Sequence, residues 1–476
     1  MSKYRYDSVI IGAGLTGLTI AYYLRKAGMR VLVLERNYRP GGVIQSHSEE
    51  GFVYESGPNT GVITSVELVR LAEELGVSFE VPRGPSRARW IWKKDSWKAL
   101  PSGLGAAVRT PLFSWKDKFR ILTEPFRSRG NNPDETLEEL VLRRMGRSFL
   151  DYAIDPFISG IYAGDPSQLV TRYALPKLYA LEQNHGSFIK GSVAKARQPK
   201  TADERKVNKQ VFSVKGGLSH LIDTLVNAIG ADAVLCNCGD VRVSEPQQGL
   251  FTIQLNKCNE HPATLELAVK EFDTVITSRS VVTTTGGTSL VNVLPFVGKD
   301  EAARLNSLRY AKVVQVAVGY KHWKGIPVEA FGGLVPSLEK KDILGILFPS
   351  ALFEGRAPKN GVLLSVFMGG IKRPDIYDMS DEELKTVALK HISEMMETSQ
   401  PADLLKLFRY PHAIPQYDAT SGDRLATIRL LEERYPGLVL AGNIRDGIGM
   451  SDRVKQGTTV AAGLVKYLLE NQTTKV

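Results

Sequence analysis

Asp7-Ser8-Val9-Ile10-Ile11, followed at once by Gly12-Ala13-Gly14-Leu15-Thr16-Gly17, is the stretch whose reading decides the fold. The first five residues are a short, β-branched run ending at glycine, which predicts a buried parallel strand. A helical pattern then runs from about Leu15 to Ala27, with apolar Leu18, Ala21, Tyr22 and Leu24, and Gly28 stops it. Val31-Leu32-Val33-Leu34 is a second strand closing on Glu35. In this strand–turn–helix–strand unit Gly12 allows the tight turn, Gly14 lets backbone approach a pyrophosphate, and Gly17 lets helix and strand pack closely. The phosphates then lie at a helix N-terminus, where free N–H groups and the helix dipole favour negative charge. Glu35 stands where a carboxylate that binds a ribose hydroxyl is expected. A glycine turn in a generic α/β protein would not bring all five features into register.

Arg39-Pro40-Gly41-Gly42 and Glu55-Ser56-Gly57-Pro58-Asn59 follow. Together with the glycine turn they resemble the FAD-dependent flavoenzymes, across residues 1–61. An NADP reading would instead use Arg36 to hold a 2′-phosphate. Near the other end, Leu438-Val439-Leu440-Ala441-Gly442-Asn443 reads as a strand ending in a glycine turn. Gly447-Ile448-Gly449-Met450 then leads into a helix from about Ser451 to Leu469. In flavoproteins of this type the chain returns here, and that helix N-terminus would stabilise negative charge on the reduced flavin. The C-terminal region has no cysteine and no paired-aromatic cage, so the expected FAD is non-covalent.

Composition bounds the rest. A chain of 476 residues suggests two or three domains, and 43% hydrophobic with 24% charged residues is a globular balance. With 61 Lys and Arg against 51 Asp and Glu, the +10 charge favours an anionic partner. Cys236, Cys238 and Cys258 cannot build a disulfide framework; their odd number fits a reducing compartment, and the spacing is wrong for zinc. No apolar run is long enough to span a membrane. A strand within a few residues of Met1 leaves no room for a signal peptide, so a cytoplasmic protein is expected.

In the middle, Lys215-Gly216-Gly217-Leu218 precedes an amphipathic helix, Val234 to Leu267 alternates like a small sheet, and Phe272-Asp273-Thr274-Val275-Ile276 is a strand. These look like the second FAD segment of the same superfamily, with Val241 beside the adenine. The superfamily then has an Ala/Pro-rich turn, where this chain has Thr277-Ser278-Arg279-Ser280. Residues 90–206 are rich in helix formers, with Trp90, Trp92, Trp97 and Trp115 among many Lys and Arg. That mixture suits a surface resting on the inner face of a cell membrane; an ordinary helical lobe with buried tryptophans is the plain alternative. No nucleic-acid motif is present.

Ile158-Ser159-Gly160-Ile161-Tyr162-Ala163-Gly164-Asp165, Phe331-Gly332-Gly333-Leu334-Val335-Pro336, Leu344-Gly345-Ile346-Leu347-Phe348 and Ile414-Pro415-Gln416-Tyr417 are further segments in order. With Glu55 to Asn59 they resemble the protoporphyrinogen oxidases, the oxygen-dependent FAD family of haem biosynthesis, over essentially the whole chain. The resemblance implies an α/β fold: a Rossmann-like FAD domain (1–83, 211–300, 435–476), an α+β substrate domain (84–89, 301–434) and a helical, membrane-facing lobe (90–210). It implies that Arg89 pairs with a substrate propionate and that the Gly160 carbonyl faces the macrocycle. Leu334, Leu347 and Phe367 become the apolar walls. FAD contacts fall on Gly12, Ala13, Gly14, Leu15, Thr16, Gly17, Glu35, Arg36, Gly42, Val43, Gly57, Pro58, Asn59, Thr60, Val241, Asn443, Ile448, Gly449 and Met450. Animal members carry an arginine where this chain has Ser159.

The implied reaction is protoporphyrinogen IX oxidation, six electrons leaving by repeated hydride transfer to flavin, with molecular oxygen as acceptor. A flexible apolar macrocycle with carboxylate arms needs flat apolar walls and a cation, and arginine can bind a carboxylate bidentately. No side-chain acid or base is demanded, so His185, His220 and His412 are expected to be structural or solvated. Three rivals stand beside this reading: coproporphyrinogen III oxidation, another flavin oxidase acting on amines or carotenoids, and a non-catalytic FAD-binding scaffold. A homodimer is left open.

Overall fold

A computed structural model describes residues 4–82, 88–101, 103–199, 201–255, 257–258 and 274–471. The Tyr4–Ile11 strand is hydrogen-bonded in parallel to Val31–Leu34 on one side and Thr274–Thr283 on the other. Val234–Leu235 extends the sheet beyond Val31–Leu34, and Leu438–Leu440 pairs in parallel with Thr274–Thr283. Phe251–Leu255 and Arg242–Val243 add an antiparallel flank. The register aligns Ile11 with Leu34 and Thr283, and Thr283 with Leu440. Gly12, Glu35, Thr284 and Ala441 therefore leave the sheet at one edge, the carboxyl end where open α/β sheets bind ligands.

The first helix is Leu15–Lys26, and the expected boundaries hold to within a residue. Leu18 and Ala21 pack with Leu221, Leu225, Val454 and Leu464 of helices Ser219–Ile229 and Met450–Glu470 against one face of the sheet. Thr277 to Ser280 departs from expectation, because these residues form no turn and lie inside the ten-residue Thr274–Thr283 strand. Their polar groups are satisfied in place. Ser278 Oγ donates to the Ser280 carbonyl (2.7 Å), and Ser280 Oγ donates to the Asp7 carbonyl (3.0 Å). Hydroxyls that find backbone acceptors can be buried in a strand without an unpaired polar group. Of the alternating stretch expected over 234–267, residues 256 and 259–267 lie outside the described residues, as do residues 272 and 273 of the strand expected after it.

A second sheet has the order Leu404–Pro415, Tyr310–Tyr320, Val362–Gly369, Gly345–Leu347, Gly332–Leu334, Arg89–Trp92, Trp97–Ala99. One face is packed by helix Asp381–Met396: Val314, Val316, Val366 and Met368 meet Leu384, Ala388, Ile392 and Met395. That helix opens with a Ser380–Glu383 capping box, which satisfies free N–H groups reciprocally. Trp90, Trp92 and Trp97 belong to this sheet; Trp92 is buried and Trp97 Nε1 donates to the Met395 carbonyl (2.9 Å). Large aromatics suit a pleated, half-buried surface, and so Arg89–Trp92 and Trp97–Ala99 are strands where a helical lobe was expected. The helices run from Leu104 to Lys206.

Candidate functional site

The glycine-rich turn separates its three glycines by what surrounds them. A Cβ on Gly12 would lie 2.5 Å from Thr284 Oγ1, and its φ is +106°. One on Gly17 would lie 2.1 Å from the Gly12 carbonyl oxygen. One on Gly14 would meet nothing within 4 Å. The protein itself demands glycine at 12 and 17, whereas the space at Gly14 is open, as a closely approaching pyrophosphate requires. Gly14 also caps the first helix with no side chain accepting from the first turn, so N–H groups remain for an anion.

Glu35 is buried at the end of its strand, with Oε2 accepting from Ala13 N–H (2.8 Å) and Oε1 from Asn37 N–H (2.9 Å). It ties the turn to the second strand, and each oxygen keeps a lone pair for a ribose hydroxyl. Arg36 is exposed. Val241 is buried in a cluster with Ile11 and Leu34. Beside Glu35, burial and the carboxylate's charge push the Cys236 thiol up to about 11, so it is a protonated, unreactive thiol near neutral pH.

The loop of Arg39 to Val43, on which the resemblance places FAD contacts, lies over the turn. Gly42 has φ +61°, and its Cβ would lie 3.4 Å from Gly14 Cα. Arg39 knits the loop: Nη1 donates to the Pro40 (3.0 Å) and Ile44 (2.9 Å) carbonyls and Nη2 to Gly42 (3.1 Å). Val43 is exposed, yet its carbonyl lies where a Cβ of Gly57 would be, 2.0 Å away. The stretch Gly57 to Thr60 therefore packs directly on this loop.

The C-terminal return joins the same edge. A Cβ on Gly442 would be 2.8 Å from the Thr284 carbonyl. Ser451 Oγ donates to the Val62 carbonyl (2.6 Å), and Thr16 Oγ1 to the Arg453 carbonyl (3.4 Å). Ile448, Gly449 and Met450 are thereby carried beside Thr16 and the segment after Thr60. Asn443 is held through its carbonyl and side chain by Tyr417 (2.9 Å) and Tyr310 (3.3 Å). Asp452 was not weighed in the sequence reading. Its Oδ2 accepts from Gly449 N–H (3.1 Å), so a carboxylate sits at the N-terminus of the final helix and offsets part of its dipole.

The second sheet supplies the apolar residues. Arg89 pairs with Gly332, Gly332 with Leu347 and Leu347 with Ser365; Ile91 pairs with Leu334, Leu334 with Gly345, and Gly345 with Phe367. Paired residues and their alternates share a face, so Arg89, Leu334, Leu347 and Phe367 project from one side of the sheet. It is the side opposite helix Asp381–Met396. Leu334, Leu347 and Phe367 are only half-buried, while Ile346 and Val366 between them are 1% and 0% exposed. Gly160, on helix Asp155–Tyr162, lies flat on Leu334: a Cβ there would come within 2.4 Å of Leu334 Cδ2. Arg89 is exposed, 5.5 Å from the Phe331 ring centroid, with no carboxylate partner among the described residues.

Two residues the sequence reading missed join the halves. Gln315 Nε2 donates to the Glu55 carbonyl (2.7 Å) and Ser365 Oγ to Asn59 Oδ1 (2.8 Å), both from the Leu334 face. Their signal was present as a polar residue inside an apolar run of each strand, Gln315 within Val313 to Val318 and Ser365 within Val362 to Met368. The face bearing Leu334 and Phe367 is thus pinned against residues 55–59, which pack on the loop above the glycine turn.

A nucleotide-binding sheet edge and a half-buried apolar face are here held together by named hydrogen bonds. Flavin containing amine oxidoreductase is the family that matches, over residues 15–465, and the chain belongs to it. A flavin is its cofactor. Similarity within the family extends to protoporphyrinogen oxidase 1 of the Arabidopsis thaliana chloroplast, 30% identical over 93% of this chain and 85% of that one. It extends also to coproporphyrinogen III oxidase of Bacillus subtilis, 23% identical over 98% and 100%. A crystal structure from Exiguobacterium sp. 255-15 shares the fold, with TM-score 0.79 and 23% identity over 98% of this chain and 99% of that one.

Proposed function

We propose that this chain oxidises protoporphyrinogen IX to protoporphyrin IX with a non-covalently bound FAD. The observation that carries the reading is the shared sheet face: Arg89 at one level, Leu334, Leu347 and Phe367 beside it, and residues 55–59 fastened opposite by Gln315 and Ser365. Bound FAD supplies a two-electron acceptor that oxygen can restore. The chain's residues do the positioning. The open Gly14 turn, the first-helix N–H groups and Glu35 hold the pyrophosphate and ribose. Gly42, Val43, Gly57 to Thr60, Val241, Asn443 and Ile448 to Met450 would hold the rest of the cofactor. Leu334, Leu347, Phe367 and Gly160 present an apolar surface to the macrocycle and keep water from it. Arg89 binds a propionate by charge-assisted hydrogen bonds. Full aromatisation removes six electrons, so three dioxygen molecules leave as three hydrogen peroxides.

Names of relatives support two substrates, protoporphyrinogen and coproporphyrinogen III. Porphyrin fluorescence separates them: the purified holoenzyme is given both porphyrinogens in parallel under air. Faster formation of protoporphyrin supports the proposal, a preference for coproporphyrinogen III replaces its substrate, and no enzyme-dependent gain with either overturns it.

The chain also rests peripherally on a membrane. Among the described residues no helix is long and apolar enough to cross one. Trp115, Phe119, Leu122 and Phe126, at helical spacing, are 72%, 68%, 71% and 87% exposed, with Lys118 and Lys190 beside the rings of Trp115 and Phe126. Exposed apolar side chains on helix Trp115–Leu122 and the turn after it, edged by lysine, are the pattern of an interfacial surface.

A further inference from the structure

Among the described residues the buried arginines are Arg144, Arg356, Arg424 and Arg453. The first two are countered: Arg144 by Glu124 and Glu182, Arg356 by Glu55 (3.4 Å) and Glu80 (3.7 Å). Arg424 and Arg453 hydrogen-bond only neutral groups among the described residues. Arg424, fully buried on helix Ser421–Arg434, donates from Nη2 to Ser421 Oγ (2.9 Å), from Nη1 to Thr420 Oγ1 (3.4 Å) and from Nε to the Ile444 carbonyl (3.4 Å). Arg453, near the start of the final helix, donates from Nη2 to the Arg445 and Asp446 carbonyls (2.9 Å each) and from Nη1 to Gln456 Oε1 (3.1 Å). Its Nε is buried with no partner.

A buried cation is ordinarily paired, because its desolvation is otherwise uncompensated. The acids nearby are engaged elsewhere: Asp418 with Arg309 (3.2 Å), Asp446 with Gln456 Nε2 (2.8 Å) and Asp452 with Gly449 N–H (3.1 Å). Tyr417 feels both charges and stays neutral, since burial pushes its phenol up further than the two guanidiniums pull it down. Both cations grip one stretch. Ile444, Arg445 and Asp446 lie between Asn443 and Ile448, in the return that the flavin reading sets beside the ring. The pyrophosphate has its own donors at the Gly14 turn. The charge left for this stretch is the one that develops on the ring. A hydride given up by the macrocycle carbon brings two electrons and one proton and leaves the cofactor one negative charge richer. The helix end that would answer this charge is blunted by Asp452.

We infer that Arg424 and Arg453 are the fixed counter-charges of the reduced flavin and raise its electron affinity. They act as charge through a water-poor interior, with most of their donors spent on the loop. The inference rests on the FAD reading above and gives the unpaired cations their partner.

The reduction potential of bound FAD tests this without turnover, read against a reference dye as dithionite is added under nitrogen. Arg424→Met and Arg453→Met each shift the two-electron equilibrium about tenfold toward the oxidised form, about 30 mV lower in potential. Arg453→Lys keeps the charge without the fork and restores most of the shift. Oxidised FAD binds these variants within about twofold of the parent. Unchanged potentials in the methionine variants overturn the inference. So does an Arg453→Lys protein that behaves like Arg453→Met, because the fork then only braces the loop. Weaker binding of oxidised FAD at an unchanged potential assigns the charges to the pyrophosphate and overturns it too. Sulfite titration of the parent needs no substitution, since sulfite addition to the oxidised ring leaves the same negative charge. Bleaching of the flavin absorbance is expected, and its absence overturns the inference even where a variant fails to fold. A parent that takes up no FAD overturns the FAD reading and this inference with it.

Discussion

Gly14 and Gly17 are three residues apart and are glycine for opposite reasons. A methyl at 17 collides with the Gly12 carbonyl, while a methyl at 14 collides with nothing in the protein. Gly17→Ala therefore lowers the melting temperature of the flavin-free protein. Gly14→Ala leaves that temperature unchanged and instead weakens flavin binding, as titration of the apoprotein would measure; an unchanged flavin affinity would remove the pyrophosphate from this turn. The substrate face gives a second pair. Arg89→Ala raises KM about tenfold or more with a smaller change in kcat, since a propionate contact distant from the reacting carbon serves ground and transition states alike. Phe367→Ala weakens porphyrin binding and keeps the flavin, because Phe367 sits on the second sheet and not on the nucleotide edge. Loss of flavin from Phe367→Ala would make it a structural residue.

Among the elements, the helical part sets a buried charge cluster beside its apolar core of Leu137, Leu140, Val141 and Leu169. Arg144 is fully buried between Glu124 and Glu182, and Arg143 forks onto Glu135 at 2.8 and 2.7 Å. Glu124 also accepts from Ser187 Oγ (2.6 Å) and from the N–H groups of Phe188 (3.0 Å) and Ile189 (3.3 Å), capping helix Phe188–Arg197. Burial pushes the Glu124 carboxyl up, but these bonds and the Arg144 charge outweigh it and hold it below the ordinary carboxylate range. Glu182 is held low in the same way, by Arg143 and Arg144 against its burial. A depressed folded pKa contributes stability that is complete above the unfolded value, near 4.3, and disappears as pH falls through the lower folded value. Glu124→Gln costs about 3–5 kcal/mol, because it leaves Arg144 a buried charge short of its partner. Urea titration of that variant checks the cost, and its acid limb should be flatter than the parent's.

At the scale of the whole molecule, two sheets are fastened by few polar contacts at the site itself. Gln315 and Ser365 hold residues 55–59, and Arg356, buried, bonds Ser213 Oγ (2.7 Å) and the Val214 carbonyl (2.9 Å) with Glu55 beside it. Flavin and substrate surfaces thus keep one separation. The apolar stripe lies on the helical part, away from both sheets, so its removal is separable from catalysis. Trp115→Asp with Phe119→Asp abolishes sedimentation with anionic vesicles at low salt and leaves oxidation of detergent-dispersed substrate intact. Sedimentation equal to the parent's would take the membrane contact off this stripe.

The N-terminal unit, its acid, the C-terminal return and the fold class were legible from Asp7 to Glu35 and from Leu438 to Met450 because they rest on local rules. Glycine goes where the backbone must turn or be approached, and apolar period follows the sheet and helix. The polar run Thr277 to Ser280 was misread as a turn because its strand identity depends on acceptors at Asp7 and within the strand itself. Trp90 to Ala99 was misread as lobe because its short hairpin joins a sheet only through the pairing of Arg89–Trp92 with Gly332–Leu334, more than two hundred residues on. The same holds for the site. Arg89, Leu334, Leu347 and Phe367 were each nameable, but that they share one face is a matter of register between distant strands. The roles of Gln315 and Ser365 were decided only by tertiary structure, since hydrogen bonds across such sequence separations have no local signature.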